Sequence, residues 1–228
     1  MDSPFIACAK EEEQESSMET WRLKYVITGT RRSGTTFLAH CFLESGYDMG
    51  IVTPVTIGKK GNPKGGGLEH PLAVMINDEM VKRLSKGESA KDIANKMRDL
   101  MQYAWPQVIK DPRFVETIEV WGAAGLLPER IFLCLRDPRA TRQSMKDACN
   151  WNASYIRKKL SKQSEFLTYC ARNGVPLTPV LFPMIGRNEN YARSLLKSFF
   201  IKEDPWSIVQ RVWDENLVNF DTGRNAVA

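Results

Sequence analysis

The sequence predicts an α/β fold, with a mostly parallel central sheet flanked by helices on both faces. Three observations predict it. The run "LKYVIT" from Leu23 is apolar and β-prone, meets glycines at once, and is followed by Phe37, Leu38, Cys41 and Phe42 on one helical face, so it reads as strand, loop, helix. The runs "QVIKDPRF" and "RIFLCLRDPR" are short apolar stretches ended by Pro112 and Pro138. A strand apolar without alternation is buried on both faces, which is the mark of a parallel sheet covered by helices, and helical patterns alternate with these strands.

Taken in order, the elements have local causes. Gly46 supplies the left-handed residue that closes the first helix. From Gly58 to Gly67, "GKKGNPKGGG" is too rich in glycine to pair or pack and reads as a loop. Leu72, Met75, Ile76, Met80, Val81 and Leu84 then recur at helical spacing, and Ser89 with Asp92 reads as the start of a second helix carrying Ile93, Met97, Leu100, Met101 and Ala104. These methionines are read as core. Pro138 sits well in the first turn of a helix after the "RIFLCLR" strand. A long helix is expected from about Ala153 to Gly174, then a strand "LTPVLF", then a last helix capped by Asp204 and Pro205 with Trp206, Val209, Trp213 and Phe220 on one face.

The 228 residues suffice for one well-buried core. Residues 1–20, with "KEEEQE", are expected to be an acidic mobile tail, and 21–228 a single domain. A hydrophobic share of 43% with 26% charged residues is that of a globular chain. The net charge of +5 favours anionic ligands, but no long basic run is interleaved with aromatics, so nucleic acid is not expected as a partner. Cys8, Cys41, Cys134, Cys149 and Cys170 are odd in number, scattered, and accompanied only by His40 and His70. They read as free thiols of a reducing compartment, with no metal site. No stretch approaches the roughly 18 apolar residues of a membrane span, and the acidic amino terminus is unlike a secretory signal, so the cytoplasm is expected.

The loop "GTRRSGTTF" carries the chemistry. A strand feeding a tight loop and then a helix aims backbone N–H groups and the positive end of the helix dipole at one point, and an anion belongs there. Ser33, Gly34, Thr35 and Thr36 let the backbone wrap a phosphate. In nucleotide hydrolases a lysine stands before the final Ser/Thr; here Thr35 takes that place, so the machinery for cleaving a β–γ phosphate bond is missing.

Arg32, Ser33, Gly34, Thr35, Thr36, Phe37 and Leu38 resemble the first signature of the P-loop sulfotransferases that use 3′-phosphoadenosine 5′-phosphosulfate (PAPS). Arg136, Pro138 and Ser144 in "LRDPRATRQS" resemble the second. A third likeness, to bacterial-type members, lies in "NPKGGGLEHPLAVMIND" and "IKDPRF". The resemblance covers about Tyr25 to Ser144, and nothing specific is recognised beyond Phe182. It implies a three-layer P-loop fold and sulfuryl transfer without a metal. It implies that the loop from Arg32 to Thr36, with Arg31 as an additional cation, cradles the 5′-phosphosulfate. Arg136 and Ser144 would then hold the 3′-phosphate, and 3′-phosphoadenosine 5′-phosphate (PAP) would be the product. The acceptor is expected to be a small or carbohydrate-like molecule.

Glu69, just after the flexible glycines, matches the glutamate of the bacterial pattern and is the expected general base. His70 is its rival, because histidine titrates near neutral pH. Lys110 and Arg113 flank Pro112 at a strand's carboxyl end and are read as contacts of the sulfuryl group or an anionic acceptor. Asp111 in "VIKD" is passed over as a magnesium ligand. Arg139, Arg142, Lys158 and Lys159 read as solvated helix faces. Two alternatives stay open: an ATP-dependent kinase of a nucleotide or small molecule, and a non-catalytic nucleotide-binding module.

Overall fold

The structure, a computed structural model, describes residues 22–52, 67–215 and 218. The acidic tail, most of the glycine-rich loop and Phe220 lie outside the described residues. Four strands form one parallel sheet in the order β2-β1-β3-β4: β1 Tyr25–Gly29, β2 Val108–Lys110, β3 Arg130–Arg136 and β4 Leu177–Phe182. Tyr25 pairs in register with Val108 on one side and Arg130 on the other. The expected α/β fold with a central parallel sheet is therefore the observed one.

Nine helices connect and cover the described strands: α1 Thr35–Glu44, α2 Pro71–Ser85, α3 Ala90–Met101, α4 Phe114–Ala123, α5 Pro138–Cys149, α6 Ala153–Arg172, α7 Met184–Arg187, α8 Glu189–Leu196 and α9 Pro205–Val212. Successive strand residues turn to opposite faces. Val26, Ile109, Ile131 and Leu133 enter a core with α2, α3, α4 and α6. Ile27, Val108, Phe132, Cys134 and Val180 enter a second core with α1, α8 and α9. Helices thus cover both faces, as continuous apolar strands require.

The helix starts follow their caps. Ser89 accepts from the Asp92 N–H, Asp137 from the Arg139 and Ala140 N–H groups, Asn152 from Tyr155, and Asp204 from Ser207. Pro71, Pro138 and Pro205 open their helices, where a missing N–H costs nothing. Two expected core positions are corrected: Met75 and Leu100 are about half exposed, because α2 and α3 each bury only one side of a wide apolar stripe. The strand β4 alternates and lies at the sheet's edge, where Tyr191 Oη accepts from the Leu181 N–H and donates to the Pro179 carbonyl. No helix among the described residues is long and apolar enough to cross a membrane.

Candidate functional site

Parallel strands bring their carboxyl ends to one edge, and the segments after β1, β2 and β3 meet there. The loop Thr30–Gly34 turns tightly between β1 and α1. Gly29, at φ 152°, has no room for a side chain, since a Cβ would stand 2.4 Å from the Cys134 carbonyl oxygen and 2.7 Å from Ser33 Oγ. Gly34, at φ 95°, packs so closely on Phe182 that a Cβ would lie 2.4 Å from its ring. Arg32 is left-handed as well, at φ 69°, which costs a non-glycine residue about 1–3 kcal/mol.

Two bonds offset that strain, and they join segments far apart in the chain. The Arg32 carbonyl accepts from Arg136 Nη1 at 3.1 Å, and Arg32 Nε donates to Ser144 Oγ at 3.0 Å. The guanidinium of Arg136 also lies over the Phe182 ring, 5.6 Å from its centre. Arg32, Arg136 and Ser144 therefore form one cluster over β1 and β3. Beside it, α1 starts at Thr35 with no side-chain cap on its first N–H groups. Ser33 Oγ and Thr141 Oγ1 are buried with no hydrogen-bond partner among the described residues. Thr141 precedes Ser144 by three positions, on the same face of α5. Uncapped N–H groups, two orphaned hydroxyls and two guanidinium groups are the donor set that phosphate oxygens need.

A second cluster lies at the end of β2. Lys110 Nζ donates to Glu69 Oε1 at 2.6 Å, with both side chains buried. Burial pulls the Lys110 pKa down, the Glu69 carboxylate opposes this, and the charge of Arg31 adds to the lowering. Glu69, expected as the general base, and Lys110, expected as a contact of the sulfuryl group or an anionic acceptor, thus form one ion pair. Arg113 is also committed: it donates to Asp111 Oδ1 at 3.0 Å and pairs with Asp78. Asp111 Oδ2 accepts from Asn77 Nδ2 at 3.0 Å, while Asn77 Oδ1 accepts from Thr117 Oγ1 at 2.7 Å and Trp121 Nε1 at 2.9 Å. Both oxygens of Asp111 are used in holding α2 and α4 to the end of β2. No cluster of metal-ligating side chains occurs among the described residues.

His70 and Arg31 are joined to neither cluster by a side-chain hydrogen bond or ion pair among the described residues, although the charge of Arg31 reaches Lys110. His70 stands at the N-cap position of α2 without a side-chain capping bond, and its ring packs on Tyr103 and Trp105, with Gly50 against its edge. Burial lowers its pKa, against a smaller raising effect of Asp48. Arg31 is exposed and lies over the Trp151 ring, 5.7 Å from its centre. Sequence reasoning passed over Asn77, Thr117, Trp121, Trp151 and the loop-facing position of Phe182. Asn77 had a readable signal, as the polar residue inside the apolar stripe of Ile76 and Met80; the others had none at the level of spacing.

No protein-family model matches the chain, and no curated protein sequence does. Among solved structures it is similar to a sulfotransferase domain of the olefin synthase of Synechococcus PCC 7002, at 12% identity over 90% of this chain and 82% of that one, with a TM-score of 0.47. A sulfotransferase from Mycobacterium avium is similar at 11% identity over 89% and 71% of the two chains, with a TM-score of 0.48. A sulfotransferase domain from the curacin biosynthetic pathway gives 11%, 88% and 81%, with a TM-score of 0.42. With TM-scores below 0.5, these likenesses carry no weight for the roles of residues, which rest on the geometry above.

Proposed function

We propose that the protein is a sulfotransferase that moves a sulfuryl group from PAPS to a hydroxyl or amine of a small-molecule or carbohydrate-like acceptor. The observation that carries this reading is the meeting of Arg32 with Arg136 and Ser144 across 104 and 112 residues of chain. One anion-binding loop would suit any phosphate; a loop joined to a second arginine–serine pair suits a nucleotide with anions at both its 5′ and 3′ positions. Thr35, in the place of a hydrolase lysine, and Asp111, whose oxygens are engaged by Asn77 and Arg113, disfavour ATP-dependent phosphoryl transfer.

When bound, PAPS supplies the sulfuryl group: the acceptor oxygen or nitrogen bonds to sulfur, the bond from sulfur to the 5′-phosphate oxygen breaks, and PAP departs. The chain's residues have separate tasks. The α1 N–H groups, Ser33, Thr35 and Thr36 hold the 5′-phosphosulfate. Arg32, released from Ser144, neutralises charge growing on the leaving phosphate. Arg136 and Ser144 grip the 3′-phosphate. Glu69 takes the acceptor's proton on Oε2 while Lys110 holds Oε1. His70 packs its ring against Tyr103 and Trp105 and has no part in the proton transfer of this reading. The reading includes one catalytic domain over 21–228 and a cytoplasmic setting, which the free buried thiols of Cys41, Cys134 and Cys170 suit.

Thermal shift with PAP against ATP plus magnesium tests it. PAP is expected to stabilise the protein more, and preferential stabilisation by ATP would overturn the reading. In Arg136→Ala, affinity for PAP should fall far more than affinity for adenosine 5′-phosphate, which lacks the 3′-group; equal losses would remove Arg136 from the 3′-site.

A further inference from the structure

Charge is unevenly spread along the chain. Residues 1–20 carry six acids and one lysine, so the rest of the chain holds a net charge of +10 against +5 for the whole. Much of the surplus gathers in one stretch, Pro138 to Lys162, with seven Lys/Arg and one acid, Asp147. Arg139, Arg142 and Lys146 stand at i, i+3 and i+7, one stripe along α5, and Arg157 and Lys158 follow in the first two turns of α6. All five are exposed and make no ion pair among the described residues. On α2, α3, α8 and α9, by contrast, Arg83, Lys96, Arg193 and Arg211 each pair with a carboxylate. Unneutralised cations on two joined helices make a face for an acidic segment.

The chain carries such a segment in Glu11, Glu12, Glu13 and Glu15, and the fold sets its starting point. Arg22 stands at the amino edge of the sheet, next to Leu23, whose carbonyl accepts from the Glu129 N–H just before β1 and β3 pair. Leu23 shares its core with Phe166, Cys170 and Val175, so the chain enters the fold beside the carboxyl end of α6. From Arg172 back to Lys158 that helix climbs about 21 Å toward the α5–α6 turn. Glu15 lies seven residues before Arg22 and Glu11 eleven, which extended chain spans in up to roughly 23 Å and 36 Å. The whole acidic run can therefore reach Arg157, Lys158 and Lys146, the last of which is in the final turn of α5. A segment on so short a link meets the face at an effective concentration of about a millimolar, which a free acidic partner in dilute solution does not match.

We propose that the acidic run Glu11–Glu15 docks on the α5–α6 face of its own chain and screens it. The face adjoins the candidate site, since α5 also carries Ser144, which meets Arg32. With the run in place an anion approaching the loop meets a weaker positive potential, and an acidic ligand must displace the run to reach these cations. This docking does not depend on which nucleotide the loop takes.

Carbodiimide coupling of the full chain tests it, because the reagent joins a carboxylate to a lysine amine in contact with it. Mass spectrometry is expected to find the run joined to Lys146 and Lys158, with a yield that falls by roughly fivefold in about 1 M salt, where the screening length is about 3 Å. Lys159 and Glu116, paired in the fold, give the internal control. Coupling of the run chiefly to Lys86, Lys91 or Lys202, exposed elsewhere on the molecule, overturns the proposal. So does coupling chiefly between isotope-labelled and unlabelled molecules, which would set one copy's run on another copy. The pair Arg142→Glu/Arg157→Glu keeps both lysines and should cut the yield by roughly fivefold; an unchanged yield overturns the docking. A fluorescent hexaglutamate peptide should bind the variant Glu11→Gln/Glu12→Gln/Glu13→Gln/Glu15→Gln roughly tenfold tighter than the parent, because the tethered competitor is gone. Equal affinity would mean that the face is open to free acidic partners and that the run does not cover it.

Discussion

A single methyl group at residue 34 has nowhere to go. Gly34→Ala would press on the Phe182 ring and force a non-glycine residue into the left-handed region, so a loss of about 1–3 kcal/mol is expected, read as a lowered Tm. An unchanged Tm would show that the loop relaxes freely. Glu69→Gln keeps an acceptor for Lys110 yet removes the base; sulfation should fall by roughly 100-fold or more with PAP binding retained. Full activity would eliminate Glu69. Replacement by alanine is a poorer test, because it strands a buried ammonium and costs about 3–5 kcal/mol. His70 gives a pH signature. Its folded pKa lies below the ordinary value near 6.5, so the unfolded chain takes up the proton first and stability falls as pH drops below that value. His70→Phe should flatten the Tm profile below pH 6.5 and leave it unchanged above about pH 8; a parallel profile would refute the burial argument. At this scale the loop was legible because Gly34 and Thr35 act through local spacing. The Glu69–Lys110 pair was not, because its partners lie 41 residues apart and only the fold brings them together.

The helix α2 is fastened to the β2–α4 turn by the buried Asn77, beside the Arg113–Asp78 ion pair. Asn77 offers its carbonyl oxygen to two donors and its amide to Asp111, which leaves none of the four groups without a partner. Asn77→Asp sets a carboxylate against Asp111, and a loss of about 3 kcal/mol or more is expected in urea unfolding. Because Glu69 precedes α2 and Lys110 ends β2, kcat should fall more than KM rises. A variant of parent stability would show the network to be incidental. Helix starts were legible wherever a cap or proline marks them, as at Ser89, Asp137 and Asp204. The helix α4 was not: the β2 run was read as ended by Pro112, and "FVETIEVWGA" after it starts with no side-chain cap to mark a helix. Helices α7 and α8 are four and eight residues long, too short for a helical period to stand out.

The sheet order β2-β1-β3-β4 sends the chain from β1 to one side and then back past it to the other. The strand order reverses at β1, and open α/β sheets hold ligands outside the carboxyl ends of strands at such a point. Arg32, Arg136 and Ser144 meet there, so the topology accounts for why two motifs so distant in sequence share one cluster. Parallel pairing was legible from unbroken apolar strands; the order of strands was not, because it depends on which helix covers which face. The edge at β4 has a consequence of another kind. Pro179 has no N–H to offer, and the Tyr191 hydroxyl occupies both the Leu181 N–H and the Pro179 carbonyl. Tyr191→Phe removes that stopper, and light scattering at elevated protein concentration should rise sooner than in the parent; identical scattering would assign the protection to Pro179 alone. At the β4 edge one phenolic oxygen thus occupies two of the polar groups that an added strand from another copy would need.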